Sequence, residues 1–222
     1  MYNTNFLQDG GRLEKRVKQC IEETVEQTHY TMHQILHFDD CDLIFITNAK
    51  KVVSGEYFHE SPCDPDQLYI FVSEAVNEVV EKDPQRVKDN LTDHLHSGLY
   101  ATARAAQIGL DADCGLLEEV ISEGLAGHFM REQSSSGKVK PHFTSLKKQE
   151  VEELWKRIQD ECLNEKNSTI ERWFQGSDTE HIPPRAGTIV GYAVVGDYLK
   201  KVGGDSKAAL STPAADIAAV LR

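Results

Sequence analysis

Asp42-Leu-Ile-Phe-Ile-Thr47 is the stretch on which the fold turns. Its run of β-branched and aromatic residues, closed by Asp and Asn, predicts a strand. On its amino-terminal side Val17, Ile21, Val25, Met32 and Leu36 recur at helical spacing from Leu13 to Leu36, predicting one long amphipathic helix or two consecutive ones. On its other side Leu68-Tyr-Ile-Phe-Val72 predicts another strand, and Lys51-Val-Val53 a weaker one. Residues 55–67 carry Gly, two Pro and two Asp, so they read as a loop.

After Pro84 the pattern becomes helical and stays so. Leu91, Leu95, Leu99 and Thr102 share one face; a second helix covers Leu116 to Met130, with Asp111 or Asp113 to cap it; a third runs from Leu146 to Leu163. A fourth follows Pro183-Pro184 and ends at Gly203-Gly204, and a short last one follows Pro213. The expected class is α+β: a small amino-terminal antiparallel sheet with helices, then a mainly helical half. With 222 residues the chain reads as a single domain, with a helix-and-sheet lobe over 12–75 and a helical lobe over 84–222.

A net charge of −12 disfavours a nucleic-acid partner. The densest basic cluster, Lys138, Lys140, Lys147 and Lys148 beside Ser134-Ser-Ser-Gly137, reads as a solvated loop. The five cysteines are odd in number and scattered, which argues against a disulfide framework and a cysteine-rich zinc site. No stretch approaches the roughly 20 apolar residues that span a bilayer, and the first twelve residues lack a signal-peptide core. The expectation is a reduced, soluble, cytoplasmic protein with no membrane partner.

Chemistry concentrates in Leu91-Thr-Asp-His-Leu-His-Ser-Gly98 and Ser122-Glu-Gly-Leu-Ala-Gly-His-Phe129. Helical zinc hydrolases place two His at i and i+4, so that one face binds one ion, with a Glu after the first His as general base. Here His94 and His96 are two residues apart, about 200° on an ideal helix. Counting from His94, the i+4 position is Gly98 and the base position Leu95. Counting back from His96, the i−4 position is Thr92 and the base position Asp93. In the second segment Glu123 sits among apolar and small residues, which allow close helix packing; Glu119 lies one turn earlier and His128 further on. His29, His33 and His37 form an i, i+4, i+8 row, read chiefly as a polar stripe facing solvent.

Leu116-Leu-Glu-Glu-Val-Ile-Ser-Glu-Gly-Leu-Ala-Gly-His-Phe129 resembles a segment of a bacterial family of predicted zinc-dependent proteases. The helix with His94, His96 and Arg104 occupies the place of that family's His-Glu-x-x-His helix. Trp173-Phe-x-Gly176, Pro183, Ala186-Gly187 and Gly191-Tyr192 resemble its later motifs, and the likeness spans roughly residues 12 to 200. The resemblance implies a zincin-like fold, zinc as cofactor, a peptide or protein substrate, and Glu123 as metal ligand. It implies one or both of His94 and His96 as the remnant of the His pair, with His128 matching a further position. Asp93 or Glu119 would take the proton, and Tyr192 matches a kept Tyr counted with the catalytic residues; a Tyr at position 188 could stabilise an oxyanion as a donor. The His-Glu-x-x-His spacing is broken, and Thr188 stands where the family tends to have Tyr. Two functions follow as expectations: a zinc metallopeptidase acting through a metal-bound water, or a lapsed member serving as a binding or regulatory module.

Overall fold

The computed structural model describes residues 3–8, 12–37, 41–47, 57–64, 66–109, 115–134, 137–163 and 170–220. The chain divides into two compact units, 1–112 and 113–222. The class is α+β, as the residue pattern predicts.

The first unit holds strands β1 (Thr4–Gln8), β2 (Asp42–Thr47), β3 (Phe58–Asp64) and β4 (Gln67–Val72), with helices α1 (Lys15–Leu36), α2 (Val76–Lys82) and α3 (Pro84–Ile108). The sheet order is β1-β2-β4-β3. The expected antiparallel sheet is in fact mixed: β1, β2 and β4 run parallel, and only β3 is antiparallel, against β4. The reason is connectivity. Helix α1 lies between β1 and β2 and carries the chain back to start the next strand in the same direction. Two residues separate β3 from β4. Strand β3 lies inside the segment read as a loop. Its Pro62 is tolerated because β3 is an edge strand, and the register slips between Pro62 and Asp64. The weaker strand expected at 51–53 lies outside the described residues.

Strands β2 and β4 alternate in burial, so one face carries Leu43, Phe45, Leu68, Ile70 and Val72 into the core. Helix α1 is a single helix whose buried row includes Val17, Ile21, Val25 and Met32. Helix α3 packs on α1, α2, β3 and β4. Its start is fixed twice: the Asp83 side chain accepts from the Arg86 N–H, and Pro84 occupies the first turn.

The second unit is helical: α4 (Leu116–Gln133), a 3-10 turn (Pro141–Thr144), α5 (Lys148–Leu163), α6 (Glu171–Gln175), α7 (Ala186–Val202) and α8 (Ala214–Val220). Helix α4 starts from Gly115 without a side-chain cap, and the proposed caps Asp111 and Asp113 lie outside the described residues. Helix α7 ends where expected, with Gly203 in the left-handed region at φ 69°.

The most extensive helix contact in this unit is α4 on α7. It depends on two glycines. A Cβ at Gly191 would lie 2.0 Å from the Val120 carbonyl oxygen, and one at Gly124 2.3 Å from that of Gly191. The helices touch backbone to backbone, the close packing that the small residues after Glu123 predict. Around them, Trp173 donates to Glu161 (2.9 Å), and Arg172 bridges Glu161 and Glu180. Ser206 binds Glu132 through both its hydroxyl and its N–H. The Ala214 N–H at the start of α8 donates to Glu118 on α4.

Candidate functional site

The residues singled out for chemistry fall in both units. In the first unit α3 is an unbroken α-helix from Pro84 to Ile108. The 94/96 spacing therefore keeps its helical consequence, and the two imidazoles leave the axis about 200° apart. They do not share a face.

His94 faces the sheet. Its Nδ1 pairs with Glu60 Oε2, a side chain from β3. The ring lies 6.4 Å from that of Phe58. His94 is 7% exposed, and its Nε2 is buried without a hydrogen-bond partner among the described residues. Burial of Glu60 by itself raises its carboxyl pKa, but the electrostatic and hydrogen-bonding pull of the neighbouring His94 outweighs that and holds it at about 2. Gly98, one turn on, faces the sheet as well. A Cβ there would lie 2.7 Å from both Cδ atoms of Leu68, which is fully buried. Leu95, in the base position for this register, is also fully buried.

His96 leaves the helix on another side. It is buried, and burial pushes its pKa below the usual imidazole value, while the nearby Asp93 carboxylate opposes that shift. Asp93, His96, Tyr100 and Arg104 follow at spacings of three, four and four, a single helix face. Tyr100 and Arg104 are fully buried, and Asp93 is half-buried.

In the second unit Glu119 and Glu123 lie half-buried on α4, one turn apart. Glu123 accepts a hydrogen bond from the Thr188 hydroxyl of α7 at 3.3 Å. The residue at 188 thus meets the acid that the resemblance implies as a ligand. His128 is five residues beyond Glu123, about 140° around the helix. Its ring stacks on that of Tyr192 (centroids 4.0 Å apart), which stacks on Phe143 at 4.4 Å. Its Nε2 lies 2.8 Å from the Tyr192 carbonyl oxygen, so that nitrogen carries the proton and donates. Burial drives the His128 pKa down to about 4; the carbonyl opposes this, and Arg131 and Lys200 add to it. The Tyr192 hydroxyl accepts from Arg131 at 3.3 Å, and burial raises its pKa. His128 and Tyr192 are therefore built into the packing of α4, α7 and the 3-10 turn.

The histidine row on α1 does not form a face. His29 is buried, with its pKa lowered to about 4 first by burial and then by His33. His33 is exposed, and His37 is outside the helix as its left-handed cap, φ 51°. The stripe expected to face solvent is split because Met32 and Leu36 set the buried side and draw His29 under it.

The chain matches the family described as "Predicted Zn-dependent protease (DUF2268)" over residues 14–219. It belongs to this family. No curated protein and no solved structure matches it. Among the described residues no helix is long and apolar enough to cross a membrane.

A member of a predicted zinc-dependent protease family is expected to offer convergent nitrogen and oxygen donors. Among the described residues, no three His, Cys, Asp or Glu side chains are grouped so as to hold a metal ion. His94 has a carboxylate, Glu60, on its other ring nitrogen, as a metal-bound imidazole often does, but its face is closed against the sheet by Leu68. The donor set of α3 therefore does not fit the family's two-His site. Glu60 is the residue that sequence reading misses. It lies in the Pro- and Asp-rich segment, and nothing in that segment marks it as the partner of a histidine 34 positions away.

Proposed function

We propose that this protein is a member of the predicted zinc-dependent protease family that keeps the scaffold and has lost hydrolysis, serving as a binding or regulatory module. The observation that carries this reading is the 94/98 stripe of α3. Its base position is a buried Leu95, and its second ligand position is a glycine against Leu68. Free, scattered cysteines, Cys20 and Cys41 buried and Cys162 half-buried, suit a reduced, cytoplasmic setting. The test is elemental analysis of protein purified without chelators, with zinc titration by calorimetry and a peptide-cleavage assay. Zinc at background level and no cleavage are expected. One zinc per chain, lost in E123A, would sink the proposal.

A second reading is a zinc metallopeptidase acting on peptides or proteins. The family description favours it, and so does one local fact: Asp93 acts electrostatically on His96 from three residues before it, the spacing of base and second His. In this reading His96 would be a ligand on α3, and zinc would supply Lewis acidity and a water acidic enough to ionise near neutral pH. Asp93 would accept the proton. Metal-dependent cleavage abolished by H96A would establish it.

A further inference from the structure

The sheet of the first unit has two edges, and they are unlike. Edge strand β3 holds Pro62, which has no N–H to offer, and its register slips between Pro62 and Asp64. Both features spoil an edge for pairing with a further strand. The other edge, β1, has neither. Thr4-Asn-Phe-Leu-Gln8 contains no Pro and no charged residue. All five residues pair with β2 in unbroken register, from Thr4 with Leu43 to Gln8 with Thr47. Among the described residues no strand lies on its outer side. Such an edge is a ready template for a second strand.

The backbone shows which groups are on offer. The Leu43 N–H donates to the Asn3 carbonyl at 2.9 Å. Alternate residues of a strand turn their amides to opposite sides. Asn3, Asn5 and Leu7 therefore face β2, and Thr4, Phe6 and Gln8 turn theirs outward. The side chains divide in the same way between the two faces of the sheet. Phe6 stacks on Phe45, ring centroids 5.4 Å apart, on the face where Phe45 enters the core. Leu7, beside Ile46, points to the opposite face and is 52% exposed.

We propose that β1 is a dimer interface, pairing with β1 of a second copy, antiparallel about a two-fold axis, to make one sheet of four strands from each copy. Full overlap sets Phe6 against the partner's Phe6, Thr4 against the partner's Gln8 and Leu7 against the partner's Asn5. The residues with outward amides then oppose one another, and each such pair exchanges two hydrogen bonds, about six in all. The overlap also keeps like faces together, so Phe45 and Phe6 continue into their copies as one aromatic row and Leu7 gains cover. Each chain carries −12, but no like charges meet along this uncharged strand. Two-fold pairing closes the assembly. The edges left over are the two β3 strands, which Pro62 and the register slip spoil, so growth stops at the dimer. A strand of this length buries less than the roughly 800 Å² per partner of a standard interface, which places the dissociation constant on the order of 10 μM. The pairing does not depend on whether hydrolysis is retained.

The test is sedimentation velocity of the full chain from about 1 to about 300 μM, bracketing that constant. It is run on wild type, T4P, L7K, N5E and an equimolar mixture of L7K and N5E, with circular dichroism and thermal midpoints to show that each is folded. Wild type is expected to pass from monomer to dimer. The Thr4 N–H points outward, so T4P removes it without touching a bond to β2, and L7K places a charge in the interface; each should weaken dimerisation about tenfold or more. The mixture should dimerise more tightly than either of its components, because antiparallel overlap sets position 7 of one chain against position 5 of the other. Should T4P not fold, L7K, N5E and their mixture carry the same decision. A wild type that stays monomeric at every concentration overturns the proposal. So do dimerisation unaffected by T4P and L7K, growth beyond the dimer, and a mixture no tighter than its components.

Discussion

Lowering the pH from 7 to 5 should cost this protein several kcal/mol of stability, through histidines that the fold buries neutral. His128 and His29 each have a pKa near 4 in the folded chain against 6.5 as the ordinary value. Burial is the first cause in both. The unfolded chain then binds more protons below pH 6.5, so stability is intact above that value and is lost progressively as the pH falls toward 4. At pH 5 an unfolded imidazole is almost wholly protonated and the folded one barely so. The ratio of the two binding functions gives about 2 kcal/mol for each residue relative to pH 7, or about 4 kcal/mol together. His96, also pushed down by burial, adds in the same direction. Ordinary carboxylates titrate mostly below this window. The assay is urea unfolding followed by circular dichroism at pH 7, 6 and 5, on wild type and H128Q. Glutamine keeps a donor for the Tyr192 carbonyl but takes up no proton, so H128Q should show a pH dependence smaller by about 2 kcal/mol, whatever its stability at pH 7. If wild type is equally stable at pH 7 and pH 5, or H128Q has the same slope, the buried neutral imidazole is wrong.

Breaking the Glu60–His94 pair with E60A should destabilise the protein by about 3 kcal/mol, since it strands a buried partner. E60Q, whose amide oxygen still accepts from Nδ1–H, should cost nearer 1 kcal/mol. A denaturation midpoint for E60A equal to that of wild type would exclude the tie. At the α4–α7 crossing, G191A must push a Cβ into the Val120 carbonyl and should cost about 3 kcal/mol or more, lowering the thermal midpoint by roughly 6–12 °C. G115A meets nothing within 4 Å of its Cβ, and at the cap position of α4, where Gly is favoured over Ala, it should cost only about 1 kcal/mol or less. T188V removes only the 3.3 Å hydrogen bond to Glu123 and should change stability by about 1 kcal/mol or less; a larger loss would mean that this hydroxyl matters more than its geometry suggests.

Several elements are legible in the chain because their signal is local. Asp42–Thr47 reads as a strand from composition, α1 and α3 from the spacing of their leucines and valines, and the end of α7 from Gly203. The close approach of α4 to another helix was legible in Gly124, Ala126 and Gly127, because only small side chains permit it. The family was legible too, in the segment around Glu123. Tertiary structure alone decided the rest. Sheet direction depends on where α1 carries the chain, which no residue states. Strand β3 hides among prolines and aspartates because an edge position removes the usual penalty on Pro62. The two histidines of α3 look equivalent in the sequence. The sheet separates them, since Leu68 and Glu60 meet the His94 side of the helix, and His96 leaves from another. That distinction is a matter of which face is covered, and it arises from residues 26 and 34 positions away in the chain.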